Sequence, residues 1–145
     1  MSHDLSNERS RLDASYRNTE YRVRAPEGTI VIRIGAPCPT LERLLEEVNA
    51  SSWAFLTACN PYSQSCTPEV NAKRQAQLVQ MLTEEELAIL PGEGASLEGD
   101  WPPEASVLVL DIEREQAMEI AQTWEQNAIV FGERGGLPEL VWCVA

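Results

Sequence analysis

From Trp53 onward, apolar segments of strand length alternate with segments of helical periodicity, and their order constrains the fold. The predicted elements are, in order, a strand over Trp53–Cys59, a helix from Pro68 to about Leu82, strands over Ala88–Leu90 and Val107–Leu110, a helix packed through Ala117, Ile120, Ala121 and Trp124, and a strand over Ala128–Phe131. The order strand, helix, strand, strand, helix, strand is that of the split βαβ arrangement. The sequence therefore predicts an α+β fold, a ferredoxin-like sandwich.

The segments nearer the N-terminus predict an extension of this sandwich. Tyr21–Arg24 and Thr29–Ile34 alternate apolar with polar residues on either side of the turn Pro26–Gly28, as in a β-hairpin. Apolar residues then recur with a period of 3.6 over residues 41–48, after Thr40, which is a suitable N-cap. We therefore expect a hairpin and a helix ahead of the ferredoxin-like core.

The length of the chain, 145 residues, is that of one domain, and 43% hydrophobic residues suffice for a single core. The first residues are polar and lack periodicity, so residues 1–15 are predicted to be a tail, with a short helix near Glu8–Tyr16. Residues 16–145 are predicted to form the single α+β domain.

Three polar segments are interpreted as turns or helix ends. Pro91–Gly94 should end the strand at Ala88–Leu90, and Gly132–Gly136 should be a hairpin turn before a last strand over Leu140–Val144. Asn127 is a plausible left-handed residue at the C-terminal end of the third helix.

The net charge of −12 is unevenly distributed along the chain. Residues 1–44 carry seven arginines against six acids, whereas residues 45–145 carry four basic residues against seventeen acids. An acidic body should repel nucleic acid, and no apolar run approaches the ~20 residues of a membrane helix. We expect neither a nucleic-acid nor a membrane partner, although such a surface could dock on a basic protein. The N-terminus lacks the apolar stretch of a signal peptide, which predicts a cytoplasmic protein.

The cysteines and the histidine are arranged unlike those of a metal or catalytic site. No two of the cysteines form a Cys-x-x-Cys pair, and the only histidine is His3. We therefore predict reduced thiols, no metal, no cofactor and no histidine-based catalytic triad. The cysteines are Cys38, Cys59, Cys66 and Cys143.

The segment Thr57–Ser63 is the most informative candidate site, because it ends a buried strand just before a helix capped by Thr67. Strand-to-helix loops present backbone N–H groups and the positive end of a helix dipole to anions. Asn60 and Ser63 are its candidate ligand-binding side chains.

Asn71 and Arg74 lie on one stripe of the following helix with Leu78, and the apolar end of this stripe must face the core. Arg74 should therefore point inward near Asn60, where a half-buried guanidinium needs an anionic partner. That partner is either Glu93, in an internal salt bridge, or the carboxylate or phosphate of a ligand. In both cases we expect Asn60, Arg74 and Glu93 to converge.

Gln126 and Asn127 follow the third helix and could add amide donors and acceptors to the same site. The alternative for Asn127 is the structural role at the helix end. Both residues stand among the candidate ligand-binding residues.

Several segments together resemble a known family. They are Tyr21 ahead of the strand Ile30–Gly35, then WAFLTACNPYS, Asn71 with Arg74, PGEG, WPPEASVLVLDI, QNAIVFGE and PELVW. From about Tyr16 to Trp142 the chain resembles a bacterial family of uncharacterised proteins, the domain of unknown function number 3293. The resemblance implies no particular activity. It implies that the polar motif positions of the family are Asn60, Pro61, Ser63, Asn71, Arg74, Glu93, Gln126 and Asn127.

Three functions of different class follow from these residues. The first is a binding or regulatory module that holds a small anionic ligand or a peptide carboxylate through the cluster of Asn60, Ser63, Asn71 and Arg74. The second is an acidic protein interaction domain, which needs no pocket. The third is an enzyme using Glu93 or Cys59, although the sequence offers no histidine near them to activate a nucleophile. The sequence favours the first.

Overall fold

The computed structural model describes residues 2–99 and 102–144, with side chains from residue 7 onward. The side chain of His3 and the residue Trp101 fall outside this described part. The helices are α1 (Ser2–Arg17), α2 (Pro39–Glu47), α3 (Pro68–Glu84) and α4 (Arg114–Thr123), with a short 3-10 helix at Pro61–Ser63. The strands are β1 (Thr19–Ala25), β2 (Gly28–Ile32), β3 (Ser52–Leu56), β4 (Ala88–Ser96), β5 (Glu104–Leu110), β6 (Ala128–Glu133) and β7 (Glu139–Trp142).

The strands form one seven-stranded sheet in the order β2-β1-β4-β5-β3-β6-β7, and every neighbouring pair is antiparallel. The fold is thus a mixed α+β fold, as the sequence predicted. None of the helices in the described residues combines the length and the apolar composition needed to cross a membrane.

Helices cover both faces of the sheet, because alternate residues of each strand point to opposite faces. On one face, α3 and α4 contribute Leu78, Leu82 and Ile120 to a core shared with Val107 of β5. On the other face, α2 packs its buried leucines against β1, β2 and the Leu108 position of β5. Burial of each leucine stabilises the fold by about 1.5–3 kcal/mol relative to exposure.

The strand β4 is longer than predicted, and the expected turn at Pro91–Gly94 is wrong. These residues continue the strand, with Pro91 opposite Val107 and Gly92 between β1 and β5. Pro91 is paired on the β5 side only, so its missing N–H costs no bond to β1. A Cβ at Gly92 would lie 2.4 Å from the backbone oxygen of Arg22, so this glycine permits a close strand approach.

The helix ends follow the sequence in one case and depart from it in two. Thr67 caps α3 as predicted, its hydroxyl oxygen accepting a hydrogen bond from the N–H of Val70 at 3.2 Å. The helix α2 begins two residues earlier than expected, with Cys38 as its N-cap and Pro39 as its first residue, so Thr40 is inside the helix. The left-handed residue after α4 is Glu125, with φ of 59°, and not Asn127.

The tail predicted for residues 1–15 is largely helical, since α1 runs from Ser2 to Arg17. Side chains of the sheet hold the last backbone carbonyls of this helix. Thr19 donates to the oxygen of Ser15 at 2.7 Å, and Tyr21 donates to the oxygen of Tyr16 at 2.7 Å. These carbonyls have no partner within a helix, so the two bonds fix the end of α1 on the sheet.

The antiparallel pairing of β3 determines where the candidate loop lies. Leu56, the last residue of β3, is opposite Val107 of β5, and Phe55 is opposite Val130 of β6. The chain that follows Leu56 therefore emerges between the starts of β5 and β6. The end of α1 reaches the same end of the sheet.

Candidate functional site

The loop after β3 has an unusual backbone. Asn60, Tyr62 and Ser63 all have left-handed φ values, 49°, 51° and 63°. Asparagine tolerates this conformation, but tyrosine and serine adopt it at a free-energy cost. Backbone strain of this kind concentrates at functional sites, so the loop is a candidate functional site.

The side chain of Asn60 joins three parts of the chain. Its Oδ1 accepts hydrogen bonds from the backbone N–H of Cys66 at 3.0 Å and from Nδ2 of Asn71 at 2.9 Å. Its own backbone N–H donates to Oδ1 of Asn71 at 2.9 Å. The predicted proximity of Asn60 and Asn71 is therefore present, as a reciprocal pair that fixes the loop against α3.

Glu104, the first residue of β5, accepts a hydrogen bond from Nδ2 of Asn60 at 2.8 Å. The carboxylate is only partly exposed, and burial raises its pKa, while the bond from Asn60 acts in the opposite direction. No salt bridge of the described residues involves Glu104. The protein thus keeps a half-buried carboxylate with an amide as its one hydrogen-bond donor.

Tyr16, near the end of α1, lies beside this carboxylate. Burial raises the pKa of its phenol to about 12, and the negative charge of Glu104 acts in the same direction. The Ser63 side chain and the Ala128 backbone act on this pKa in the opposite direction. The ring of Tyr16 packs edge to face on Trp142, with centroids 5.9 Å apart. Tyr16 therefore forms a wall of the site.

Arg74 points inward, as its position on the α3 stripe predicted, but its partners are mainly backbone oxygens. Nε donates to the oxygen of Ala58 at 2.6 Å, and Nη2 donates to the oxygen of Trp124 at 2.8 Å. Nη1 donates to the carboxylate of Glu125 at 3.4 Å. The guanidinium also lies 5.6 Å from the ring centroid of Trp124. Arg74 connects the end of β3 to the end of α4.

The predicted convergence of Asn60, Arg74 and Glu93 is wrong for Glu93, and the alternative of a salt bridge between Arg74 and Glu93 is excluded with it. The carboxylate of Glu93 accepts a hydrogen bond from Arg22 at 3.3 Å. The reason is that β4 continues through Glu93 directly alongside β1, where Arg22 is the residue opposite. A turn at this point would have freed Glu93 to reach α3.

Gln126 and Asn127 both contact the loop. Nε2 of Gln126, which is buried, donates to the backbone oxygens of Cys59 at 3.0 Å and Trp124 at 3.1 Å. Nδ2 of Asn127 donates to the hydroxyl of Ser63 at 2.9 Å. Gln126 therefore supports the backbone, whereas Asn127 lies at the partly exposed rim with Ser63.

All four cysteines are free thiols in the structure. Cys59, in the loop itself, is buried, and this burial raises its pKa. A raised pKa lowers the fraction of nucleophilic thiolate at neutral pH. Within the described residues, no group of three or more His, Cys, Asp or Glu side chains could hold a metal ion.

Sequence reasoning missed Glu104 and Tyr16. A signal for Glu104 was present, because Glu104, Ser106 and Leu108 alternate along one face of β5, so the pattern turns polar at one end of a buried strand. No such pattern marked Tyr16, because it lies at the boundary between the predicted tail and the predicted domain.

Comparison with known proteins gives one match. A family model with the description "Protein of unknown function (DUF3293)" matches residues 56–129, just over half of the chain. This stretch contains all the predicted site residues and Glu104 but not Tyr16. Neither the comparison with curated proteins nor the comparison with solved structures finds a match. The chain belongs to the family described as Protein of unknown function (DUF3293).

Proposed function

We propose that the protein is a binding module for a small molecule, with its site at the end of β3 beside Asn60, Ser63, Glu104 and Tyr16. The observation that carries this proposal is that the partly buried carboxylate of Glu104 has too few partners among the described residues. Burial of a carboxylate costs free energy unless a cation or several donors compensate it. Glu104 has one amide donor at 2.8 Å and no salt bridge among the described residues. A ligand supplies the missing partner.

The sequence favoured an anionic ligand or a peptide carboxylate held by Arg74. The support for this version is weaker than for the site itself. Each of the three guanidinium nitrogens of Arg74 already donates to an acceptor within the protein. These bonds use three of the five guanidinium N–H groups, so an anion would have only the other two to bind.

The second candidate is the acidic protein interaction domain. Its support is the charge of residues 45–145, which carry seventeen acids against four basic residues. The enzyme alternative has less support, because Glu93 is paired with Arg22 and burial raises the pKa of Cys59. The cytoplasmic location stays a prediction.

We also propose that the segment from β3 to β6 is a ferredoxin-like unit, extended by a hairpin of β1 and β2. The antiparallel order β4-β5-β3-β6 supports this assignment, as does the position of α3 and α4 on one face. In such a unit the two inner strands, β3 and β5, are antiparallel neighbours, so the end of β3 adjoins the start of β5. The proposed site lies at these ends.

The test is native mass spectrometry of the purified full-length chain, with identification of the small molecules released on denaturation. Glu104→Gln removes the charge but keeps an oxygen that can accept from Asn60. Glu42→Gln is the matched control, because Glu42 is also partly exposed and also held by one amide donor, the N–H of Gly135 at 2.7 Å. We expect a compound retained by the parent and the control, and at least tenfold less of it in Glu104→Gln. Equal retention by all three proteins would contradict the proposal.

A further inference from the structure

Glu104 and Asn127 keep free hydrogen-bond acceptor capacity at the site. An ionised carboxylate has about four acceptor positions, and Glu104 uses one of them, on Oε2, for Asn60. Asn127 uses its Nδ2 to donate to Ser63, which leaves its amide oxygen as an acceptor. Among the described residues, no hydrogen bond to that amide oxygen or to Oε1 of Glu104 is formed.

Each of the three asparagine amide nitrogens in the same network donates one hydrogen bond inside the protein. Nδ2 of Asn60 donates to Glu104, and Nδ2 of Asn71 donates to Asn60. Nδ2 of Asn127 donates to Ser63. Each of these amide nitrogens keeps a second N–H, but the N–H groups are neutral, whereas the acceptor Glu104 is charged.

The distribution of charge also favours a cationic ligand. Arg74 lies on the α3 side of the sheet, while Glu104 shares the opposite face with Leu108. The chain as a whole carries −12, and its field attracts cations toward an acceptor-lined site.

We infer that the ligand of this site presents a positively charged nitrogen group, an ammonium or a guanidinium, whose N–H groups bind Glu104 and the rim oxygen of Asn127. The inference rests on the proposed function and specifies the ligand class. Charge-assisted N–H···O⁻ bonds are about twice as strong as neutral ones, so Glu104 contributes most of the affinity.

The test is an NMR titration of the 15N-labelled full-length protein at constant ionic strength, which keeps screening equal between probes. The probes are methylguanidinium and methylammonium as cations, acetate and inorganic phosphate as anions, and acetamide as a neutral amide. The side-chain amides of Asn60 and Asn127 report binding. The proteins are the parent, Glu104→Gln and the control Glu42→Gln.

We expect the two cationic probes to shift both amides in the parent and in Glu42→Gln, with at least tenfold weaker binding to Glu104→Gln. Shifts caused by acetate, phosphate or acetamide instead would overturn the ligand class while leaving a binding module in place. Equal cation binding to Glu104→Gln would also overturn it. If no probe shifts these amides and mass spectrometry finds no retained compound, the binding module itself is wrong.

Discussion

Arg74 and Glu104 flank the same loop from opposite faces of the sheet, and their surroundings differ. Arg74 is 20% exposed, and each of its three nitrogens donates to a named acceptor. Glu104 is also partly buried, yet one side-chain amide is its single hydrogen-bond donor among the described residues. Arg74 has the surroundings of a structural residue, whereas Glu104 has those of a ligand-binding residue.

This difference reverses the expectation from the sequence, in which Arg74 was the ligand-binding charge. The guanidinium has a structural role, because it donates to backbone oxygens just after β3 and α4, those of Ala58 and Trp124. The carboxylate of Glu104 has no such role, because no backbone group of the described residues donates to it. A charged group in a half-buried place is informative about function only when its partners inside the protein are insufficient.

The largest expected effect is that of Arg74→Ala on stability. The substitution leaves the oxygen of Ala58 without the donor Nε, leaves the oxygen of Trp124 with Gln126 as donor, and removes the contact with the Trp124 ring. We expect the free energy of unfolding, measured by urea denaturation, to fall by about 2–4 kcal/mol. Arg74→Lys should recover only part of this loss, because an ammonium cannot reach both oxygens in the fork geometry.

Arg114→Ala is the matched control for this prediction. Arg114 is also on a helix, also pairs with a glutamate and also lies near an aromatic ring, 5.7 Å from the centroid of Phe131. It is 45% exposed, so its removal should cost less than about 1 kcal/mol. Equal losses from the two substitutions would remove the distinction between a scaffold arginine and a surface arginine.

Asn60→Ala should have an intermediate effect, a loss of about 1–3 kcal/mol, because Asn60 joins Asn71, Cys66 and Glu104 from a left-handed backbone. The control is Asn49→Ala at an exposed residue with φ of 56°. That substitution tests the backbone preference without the side-chain network. A loss as large at the control position as at Asn60 would mean that backbone strain alone explains the effect.

Tyr16→Phe should have a smaller effect, about 0.5–1.5 kcal/mol at neutral pH, from loss of one hydroxyl. Its clearer signature is at alkaline pH. Because the pKa of Tyr16 is raised to about 12 in the folded state, its contribution is complete below the unfolded pKa of 10 and is lost as pH rises to 12. The stability of the variant should decline less steeply over this range. An unchanged slope would mean that the phenol is not buried at the site.

The parts of the fold that sequence predicted best are those determined by local pattern. The helix after Thr67 was predicted correctly, because its cap, its first-turn proline and its apolar period all lie within one segment. The strand β4 was cut short, because the close approach of Arg22 that makes Gly92 suitable in a strand is a contact between distant segments. Periodicity carries no information about such contacts.

The residues of the site also divide into those that local pattern predicted and those that depend on contacts between distant segments. Asn60 and Asn71 were placed together correctly, since a short loop and one helical turn separate them. Glu104 is 44 positions from Asn60 and enters through the pairing of β3 with β5, and Tyr16 enters through the docking of α1. Glu93 was misplaced because its neighbour across the sheet could not be read from the sequence.

The most direct test of the central claim is the stability of Glu104→Gln, with Glu42→Gln as control, by urea denaturation at pH 7.5 and at pH 4. Burial raises the pKa of Glu104, so its favourable contribution exists below the unfolded value near 4.5 and is lost as pH rises through the folded value. At pH 7.5 the ionised carboxylate is therefore a cost to the fold. We expect Glu104→Gln to be at least as stable as the parent at pH 7.5, and any gain to disappear at pH 4. A loss of about 2 kcal/mol or more at pH 7.5 would contradict this expectation, because Glu104 would then be a structural residue like Arg74.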